Sequence, residues 1–455
     1  MSGSGLNAGA FSYFQELESA QRPCSFHNRV DRRFRRGKAE TELKRDGSPL
    51  LHPPSLDERA DALKSALARS FQVSPSDVRI VVSPYRICPL GAHVDHQLGV
   101  VTGLALNQAV VMAFAPSPET HRKEVAALSK NYPGKVSFEL DSIPPFRPGD
   151  WGNYLRGAAL ALRGQFGKRL ARGMVAMVDG DLPIGGLSSS AAVGVAYLLA
   201  LEAVNGLSAS IAENIHFDRA IENIYIGLRN GILDQSVILA AERDRLLLLD
   251  CQSETWHAVR GPAAGAFQIL VVYSGVEQAL VSTGYNQRVA ECREAAKQLL
   301  NAAGRRVADG AVLRQVSEDT FVKHGVSLSA ALRKRATHFF TEQARVRDGT
   351  MAWAGEDVKQ FGALVSQSGK SSVENYECGS PPLIALYELL VGSSGVLGAR
   401  FSGAGFRGNC IALVEPGCAE SVAIRVSEGY ARRHPAEAKT FSACVCETDS
   451  GARLV

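Results

Sequence analysis

Residues 183–192, Pro-Ile-Gly-Gly-Leu-Ser-Ser-Ser-Ala-Ala, constrain this 455-residue chain more than any other segment. Two glycines and three serines lead into an apolar run with helical spacing that ends at Asn205-Gly206. Glycine lets the backbone approach an anion closely, and the amides at a helix start can bind phosphate oxygens. The segment by itself is compatible with a phosphate-binding loop and equally with an ordinary buried helix capped by serine.

Strands and helices interleave along the chain without a regular strand–helix–strand alternation, which favours an α+β fold over a doubly wound parallel sheet. Period-2 and β-branched runs predict strands at 78–82, 100–114 (interrupted by Gly103), 136–140, 173–179, 246–249, 267–273, 396–401 and 410–414. Helical spacing predicts helices at 56–71, 188–204, 210–228, 233–242, 286–302 and 329–345. A boundary near 250–265 would separate an N-terminal lobe, residues 56–262, from a C-terminal lobe, residues 263–455, with a cleft between them.

Residues 1–55 differ from the rest of the chain. They contain a basic cluster from Arg29 to Lys38 and few apolar residues that could anchor them. This composition favours a disordered tail. The alternative is a nuclear-localisation or anion-binding role for its arginines, Arg32, Arg33, Arg35 and Arg36.

Composition argues against several classes of protein. A net charge of +4 and an aromatic content of 7% are not those of a nucleic-acid-binding protein. No apolar run reaches 18 residues and no signal-peptide pattern opens the chain, so we expect neither a membrane span nor secretion. The nine cysteines include no CxxC motif, which indicates neither a zinc site nor a disulfide framework. We expect a soluble, reduced, cytoplasmic protein, with Cys444 and Cys446 on one face of a strand.

Two glycine-containing motifs match nucleotide-binding patterns only in part. Residues 403–408 satisfy G-x-G-x-x-G, but the strand-like run 409–414 follows where a dinucleotide-binding motif needs a helix. Gly369-Lys370-Ser371 resembles the end of a Walker A loop, but Leu364 stands where that loop needs glycine. Neither motif predicts a nucleotide site.

Two further segments concentrate polar side chains. The segment Arg86-Ile-Cys-Pro-Leu-Gly-Ala-His-Val-Asp-His96 follows a strand and places a guanidinium, a carboxylate and two imidazoles within eleven residues. Asp234 falls near the start of a predicted helix, where the helix dipole stabilises an ionised carboxylate. Taken singly, these segments are equally compatible with a polar turn that holds an Arg–Asp pair and with a simple helix cap.

Together, the three segments resemble the galactokinase branch of the GHMP kinase superfamily. Residues 86–99 match its sugar-kinase signature, residues 183–191 match its phosphate loop P-x2-G-L-x-S-S-A, and residues 401–408 match its C-terminal glycine-rich motif. Shorter similarities lie at 151–154, 220–235 and 371–377, so the resemblance covers about residues 78 to 415 in the family's order. It implies a two-lobed fold, with an N-terminal lobe like domain 2 of ribosomal protein S5 and a ferredoxin-like C-terminal lobe.

The resemblance also implies a role for each matched residue, with ATP as co-substrate and Mg²⁺ as cofactor. Asp234 would be the catalytic base, or the electrostatic partner, of a sugar's anomeric hydroxyl, and Arg86 would favour ionised Asp234 and neutralise the transferring phosphoryl group. Ser190 and Glu222 would hold Mg²⁺, although Glu222 is alternatively an exposed helical carboxylate. Such positioning and charge neutralisation suit the loose transition state of phosphoryl transfer. The ATP phosphates would be held by Gly185, Gly186, Leu187, Ser188, Ser189, Ser190 and Ala191.

One departure from the galactokinase pattern bears on the substrate. Galactokinases usually carry Gly-Glu-His-x-Asp-Tyr, with the Glu near the C6 hydroxyl of the sugar, where this chain has Gly91-Ala-His-Val-Asp-His96. A glutamate would repel a C6 carboxylate by about 1–4 kcal/mol at about 4 Å in a partly wet site, and Ala92 removes that repulsion. The G-A-H-x-D-H form, with residues 400–408, resembles the plant galacturonokinase subgroup. It implies a D-galacturonate 1-kinase that forms α-D-galacturonate 1-phosphate.

Further substrate-binding residues are implied around Ala92. Arg407 and His96 are alternative cations for the sugar carboxylate, and Arg407 is equally compatible with a solvent-facing loop charge. The others are His93, Asp95, Tyr285 and Gly405.

Two other functions stay open: a 1-kinase for neutral galactose or L-arabinose, and a sugar sensor without turnover. The intact Ser190-Ala191-Ala192, with Asp234 and Arg86, argues against the sensor. The expected partners are a sugar acid and ATP, with no nucleic acid and no membrane, and the oligomeric state stays open.

Overall fold

The computed structural model describes residues 49–182, 185–228, 230–276, 284–305, 310–403, 405 and 408–455. Its strands are β1 (Arg79–Ile87), β2 (Val100–Pro116), β3 (Glu124–Ser129), β4 (Lys135–Glu139), β5 (Met174–Gly180), β6 (Arg245–Asp250), β7 (Thr255–Arg260), β8 (Gln268–Tyr273), β9 (Val396–Phe401), β10 (Asn409–Val414), β11 (Ser442–Cys446), β12 (Thr448–Asp449) and β13 (Arg453–Leu454). Its α-helices are α1 (Leu56–Phe71), α2 (Asn153–Phe166), α3 (Ser189–Asn205), α4 (Ile211–Ala220), α5 (Leu233–Ala240), α6 (Tyr285–Ala302), α7 (Glu318–His324), α8 (Ala330–Ala354), α9 (Val358–Glu374), α10 (Pro381–Val391) and α11 (Ala419–Arg433).

The strands form two sheets in which most neighbours run antiparallel. The larger sheet has nine strands, in the order β13-β1-β2-β5-β3-β4, with β12 and β6 also paired to β2 and β7 paired to β6. The pair of β3 and β5 is parallel. The smaller sheet has the order β11-β8-β10-β9. Helices pack against both sheets, which confirms the predicted α+β class.

Strand β2 is continuous, whereas the sequence predicted an interruption at Gly103. It pairs with β1 along one edge and with β5 and β6 along the other. A Cβ on Gly103 would lie 2.1 Å from Cγ2 of Val237, so the glycine lets α5 cross the strand at close range. This packing places the start of α5 near the end of β1, where two of the predicted site segments lie.

Helix α3 is the apolar helix that follows the Gly/Ser segment, as predicted. Ten of its 17 residues are buried, and it packs on β1 and β2 as well as on α2, α4 and α5. Its N-cap, Ser188, has left-handed backbone torsions and makes no side-chain capping bond, so the alternative of an ordinary serine cap is wrong. Among the described helices, none is long and apolar enough to cross a membrane.

Both ends of the described chain contact strands that are remote in sequence. Residues 1–48 of the predicted tail lie outside the described residues, but Leu50 and Leu51 are buried, and Leu50 forms a parallel bridge with Ala443. The predicted disorder is therefore wrong for these last tail residues. At the other end, β13 pairs with β1 and β12 with β2, so the C-terminal residues return to the larger sheet. The boundary predicted at residue 262 stays a prediction, and these strands would belong with the N-terminal lobe.

Candidate active site

A cavity of about 630 Å³ lies where β1, the Gly/Ser segment, α5 and the end of β9 meet. Predicted site residues from four separate segments line it: Arg86, Ala92, His93, Asp95, Gly185, Gly186, Ser188, Ser189, Ser190, Glu222 and Asp234. The fold therefore brings together residues that are up to 148 positions apart. The side chains of Leu187 and Ala191 are instead buried in the core beside it.

The Gly/Ser segment and the C-terminal glycine-rich segment are in backbone contact at this cavity. Gly185 and Gly186 have positive φ of 135° and 80°, in the region that favours glycine. A Cβ on Gly186 would lie 2.5 Å from the carbonyl oxygen of Ser402, and one on Gly408 would lie 2.4 Å from that of Gly185. The glycines of both motifs are thus needed so that two loops can pack without side chains between them.

Hydrogen bonds fix the orientation of the Gly/Ser loop. The side-chain amide of Asn409 donates a hydrogen bond to the carbonyl oxygen of Gly185, and the hydroxyl of Ser402 donates one to the carbonyl oxygen of Gly186. Arg86 Nη1 also donates to Gly186 O, at 3.3 Å. Because the carbonyl and the following N–H of a trans peptide point in opposite directions, these bonds also orient the next amides. The buried hydroxyl of Ser188 has no hydrogen-bond partner among the described residues, as a group that binds a ligand would.

Arg86 and Asp234 form the ion pair at the centre of the cavity. Arg86, at the end of β1, donates from Nε and Nη2 to Oδ1 of Asp234, at 2.8 and 2.6 Å. Arg86 is 4% exposed and Asp234 is 23% exposed. In the described part of the chain, Oδ2 of Asp234 accepts no hydrogen bond. Asp234 therefore has one oxygen held by the protein and one available to a ligand, which a simple helix cap would not explain.

Asp95 lies close to this pair. A Cβ on Gly231 would lie 2.4 Å from Oδ2 of Asp95, so the glycine makes room for the carboxylate just before α5. Burial and the nearby charge of Asp234 raise the pKa of Asp95 to about 6. Asp95 can therefore accept hydrogen bonds from ligand hydroxyls as an anion near neutral pH.

Glu222 lies in a π-helical turn, Ile221–Ile226, which corrects the single α-helix predicted over 210–228. Such turns often occur at functional sites. Glu222 is 1% exposed, so the alternative of an exposed carboxylate is wrong. It accepts a hydrogen bond from the side-chain amide of Asn230, and the nearby Ser190 hydroxyl favours its charged form. Burial and the charge of Asp234 raise its pKa to about 7.

The electrostatics of this region are dominated by buried acidic groups. Asp218, one turn of helix before Glu222, is fully buried, and neither of its carboxylate oxygens has a partner among the described residues. Burial and the charge of Glu222 raise the pKa of Asp218 well above its usual value. The region would therefore be stabilised by additional positive charge. Within the described ranges, no three His, Cys, Asp or Glu side chains form a ready-made metal cluster.

The loop that carries Ala92 is held by side chains of α8. Glu342 Oε1 accepts hydrogen bonds from the backbone amides of Gly91 and Ala92, at 2.8 and 3.1 Å. His338 Nε2 lies 2.8 Å from the carbonyl oxygen of Ala92 and acts as the donor. Both polar groups of the Ala92 backbone are thus bound to one helix, and the methyl group lines the cavity.

His93 and His96 are both buried, but they differ in position. His93 lines the cavity and stacks on Tyr376 with ring centroids 4.1 Å apart. His96 is not among the residues that line the cavity, and its Nε2 lies 3.1 Å from the hydroxyl of Tyr376. Burial lowers the pKa of His96 to about 3, so its ring is neutral at pH 7. The prediction that His96 is a cation for the sugar carboxylate is therefore wrong.

The structure gives less information on three other predicted substrate residues: Gly405, Tyr285 and Arg407. Gly405 lies beside Cys378 and Phe401, where a Cβ would be 2.9 Å from the Cys378 sulfur. Tyr285 begins α6, and its side chain lies outside what the structure describes. Arg407 lies outside the described residues altogether.

Sequence reasoning missed four residues that shape the Ala92 side of the cavity: His338, Glu342, Ser368 and Arg400. Glu342 and Ser368 lie on helices about 250 or more positions after Ala92 and carry no motif that could have marked them. Arg400 had a signal, because it is the single charged residue in the apolar run Val-Leu-Gly-Ala-Arg-Phe of β9. A charged residue in a buried strand usually has a binding or pairing role.

Comparison with known proteins identifies the family. Residues 153–242 match the GHMP kinases N terminal domain, and residues 348–432 match the GHMP kinases C terminal domain. A galacturonokinase from Arabidopsis thaliana is 43% identical over 423 residues, which cover 88% of this chain and 99% of the relative. A galactokinase from Roseiflexus sp. is 32% identical over 374 residues, which cover 82% and 92%. The chain belongs to the GHMP kinase family.

Solved structures agree with this assignment. A galactokinase from Lactococcus lactis complexed with galactose aligns over 86% of this chain and 99% of its own, with a TM-score of 0.79 and 28% identity. A mevalonate kinase aligns over 81% and 98%, with a TM-score of 0.57 and 14% identity, which supports the fold alone. The resemblance predicted from the motifs and the GHMP kinase fold are confirmed, and the protein is a sugar kinase, a phosphotransferase.

Proposed function

We propose that the protein transfers the γ-phosphoryl group of ATP to the anomeric hydroxyl of D-galacturonate and forms α-D-galacturonate 1-phosphate and ADP. The observation that carries the proposal is Ala92, which lines the cavity at the position where galactokinases usually have a glutamate near C6. A methyl group leaves room for a C6 carboxylate and does not repel it. The 43% identity to a galacturonokinase over nearly the full length of that relative supports the same substrate.

In the proposed reaction, the sugar O1 attacks the γ-phosphorus as the bond to the bridging oxygen of ADP breaks. Asp234 accepts the hydroxyl proton or stabilises the hydroxyl electrostatically, through the oxygen that Arg86 leaves available. Arg86 orients the carboxylate and, because it also contacts the Gly/Ser loop at Gly186 O, would neutralise charge on the phosphoryl group. Charge neutralisation by such fixed groups is the main protein contribution to phosphoryl transfer.

ATP would be held at the Gly/Ser loop and at a group of aromatic and amide side chains on the same cavity. The amides of residues 185–190 and the unpartnered hydroxyl of Ser188 would bind phosphate oxygens. Tyr132, Trp151 and Asn131 combine ring faces with an amide, a set suited to a flat, polar heterocycle such as adenine. Asn131 is already fixed by two hydrogen bonds to the backbone of Gly180.

Ser190 and Glu222 fit a Mg²⁺ ion that accompanies ATP. The Ser190 hydroxyl, at the start of α3, and the Glu222 carboxylate, in the π-helical turn, line the same cavity, and oxygen donors are those that Mg²⁺ prefers. Mg²⁺ commonly takes only one or two protein oxygens, with phosphates and waters completing the shell, so two residues suffice. The ion would supply positive charge to a region with several buried carboxyl groups. Glu222 and Ser190 would orient it.

A cytoplasmic location and small-molecule partners only, the sugar acid and ATP, complete the proposal. The cysteines in the described part of the chain all have free thiols, which suits a reducing compartment.

The test is an ADP-release assay with Mg·ATP and four sugars: D-galacturonate, D-glucuronate, D-galactose and L-arabinose. We expect the highest kcat/KM with D-galacturonate. A preference for galactose or arabinose would support the neutral-sugar kinase instead and would discard the argument from Ala92. Absence of turnover with all four would support the sensor, against which the paired Arg86 and Asp234 argue.

A further inference from the structure

Two guanidinium groups line the described part of the cavity, those of Arg86 and Arg400. The charge of Arg86 is paired with that of Asp234 through two short hydrogen bonds. Arg400 has no such partner: its nearest carboxylate oxygen in the described chain, Oε1 of Glu342, is 3.9 Å away, and the other oxygen of Glu342 is bound by Arg345 at 2.8 Å. Arg400 is therefore the cation in the cavity whose charge is least compensated.

Arg400 is also held rigidly. Its Nε donates to the carbonyl oxygen of Phe401 at 2.9 Å, and its Nη1 donates to Ser368 Oγ at 2.9 Å. The side chain is 2% exposed, so few water molecules can hydrogen-bond to it. Its Nη2 donates to no residue in the described ranges. A buried cation with unused donors is unfavourable unless an anion binds there.

Arg400 and Ala92 both lie near the same carboxylate oxygen of Glu342. Oε1 of Glu342 lies 3.1 Å from the Ala92 amide nitrogen and 3.9 Å from Arg400 Nη1. Ser368 connects the same two groups, because its hydroxyl donates to Glu342 Oε1 at 2.6 Å and accepts from Arg400. Because Ala92 and Arg400 also line the same cavity, we expect a ligand group beside Ala92 to come within reach of the guanidinium.

We propose that Arg400 binds the carboxylate of the sugar acid and thereby selects an acidic sugar over a neutral one, an inference that rests on the proposed function. The planar guanidinium can donate two parallel hydrogen bonds to a carboxylate, and such pairs are strong when they are buried. Glu342 and Ser368 act as positioning residues, since they hold both Arg400 and the Ala92 loop. Arg400 takes the role for which Arg407 and His96 were considered.

The test compares two ligands of nearly equal shape, D-galacturonate and its neutral amide, D-galacturonamide. Binding is measured by calorimetry and kcat/KM by ADP release for the unaltered enzyme, Arg400→Gln and Arg335→Gln. We expect the unaltered enzyme to prefer the acid by about 100-fold, and Arg400→Gln to lose nearly all of that preference. Arg335→Gln is the matched control, because Arg335 is equally buried but pairs with Glu291 and Glu377 and does not line the cavity, so it should keep the preference.

A merely structural role for Arg400 would weaken both ligands equally and leave their ratio unchanged, which would overturn the proposal. If Arg400→Gln does not fold, Arg400→Lys decides. Lysine keeps the charge, but its three donors are on one nitrogen and cannot reproduce the separate contacts of Nε, Nη1 and Nη2. We therefore expect the ratio to fall at least about fivefold. A ratio in Arg400→Lys equal to that of the unaltered enzyme contradicts the assignment. Failure of the unaltered enzyme to bind either ligand while it phosphorylates galactose would instead reject the proposed function.

Discussion

The proposed phosphate end and the proposed sugar end of the cavity are built from different parts of the polypeptide. At the phosphate end, two loops are in direct backbone contact, and glycines at 185, 186, 403 and 408 leave room for that contact. At the sugar end, the Ala92 loop is fixed by side chains of Glu342 and His338 from α8.

This difference determines how well each end can be predicted from the sequence. Close backbone packing requires glycine at particular positions, so it leaves a short motif. A buried hydrogen-bond network requires only that a few polar side chains meet, and those residues can lie anywhere in the chain. The phosphate end should therefore be sensitive to added volume, and the sugar end to added or removed charge. The following predictions separate the two.

The largest effect is expected where the two ends meet, at Asp234. Asp234→Asn keeps the shape of the side chain but removes the negative charge and the base, so kcat should fall by about 10³-fold. Sugar binding, measured by calorimetry, should change little. Asp449→Asn is the control, because Asp449 is also paired with arginines, Arg243 and Arg453, but does not line the cavity. A loss of kcat smaller than about tenfold in Asp234→Asn would contradict the assigned role.

At the phosphate end, Gly186→Ala should impair the use of ATP. The added Cβ would lie 2.5 Å from the backbone oxygen of Ser402, so the two loops must separate. A displacement of about 1 Å can cost about 100-fold in rate, and we expect a loss of that order in kcat/KM for ATP. Binding of the sugar alone should be retained, which calorimetry can check.

The matched control for Gly186→Ala is Gly206→Ala. Gly206 also has positive φ, 58°, but a Cβ there meets nothing within 4 Å. It should cost about 1 kcal/mol of stability and leave the ATP kinetics intact. Equal kinetic losses in the two variants would show that backbone strain, not loop contact, limits the phosphate end.

At the sugar end, Ala92→Glu should reduce kcat/KM for D-galacturonate by about 30-fold, because the new carboxylate repels that of the substrate by about 2 kcal/mol. Activity with galactose should be gained or unchanged. Ala92→Gln has the same size without the charge and serves as the control. If both variants lose galacturonate activity equally, volume rather than charge limits this end as well. Unaltered galacturonate kinetics in Ala92→Glu would show that the C6 argument is wrong.

The smallest effect is a pH dependence of stability caused by Asp95. Its folded pKa, about 6, is above the ordinary value of 3.8, because burial and Asp234 disfavour the charge. The folded state therefore binds more protons than the unfolded state between these values. The stabilising contribution is present below pH 4 and is lost as the pH rises through 6.

Asp95→Asn should remove this pH dependence. The variant should therefore become more stable, relative to the unaltered, ligand-free protein, as the pH rises from 4 to 7. We expect the difference in their free energies of unfolding to change by about 1–3 kcal/mol across that range. Thermal unfolding at a series of pH values measures it. A difference between the two proteins that is constant with pH would mean that Asp95 ionises normally.

Much of the fold was predictable from local pattern. The helix over 56–71 and the strand over 396–401 have the predicted limits, because a Ser55–Glu58 capping box begins the helix and buried apolar residues fill the strand. Helices α2, α7, α9, α10 and α11 and strands β3, β7, β12 and β13 were missed. Strand β7, for example, has only partly buried side chains and pairs only with β6, so its apolar pattern is weak.

The sequence by itself determined the family, the α+β class and the proposed phosphate end of the cavity, because each leaves short motifs or local patterns in the chain. Only the tertiary structure decided the partners of Ala92, the neutral state of His96 and the place of Arg400. Those properties depend on burial and on side chains that meet across some 250 residues or more. A linear pattern records backbone requirements well, whereas the charge state of a buried group depends on everything packed around it.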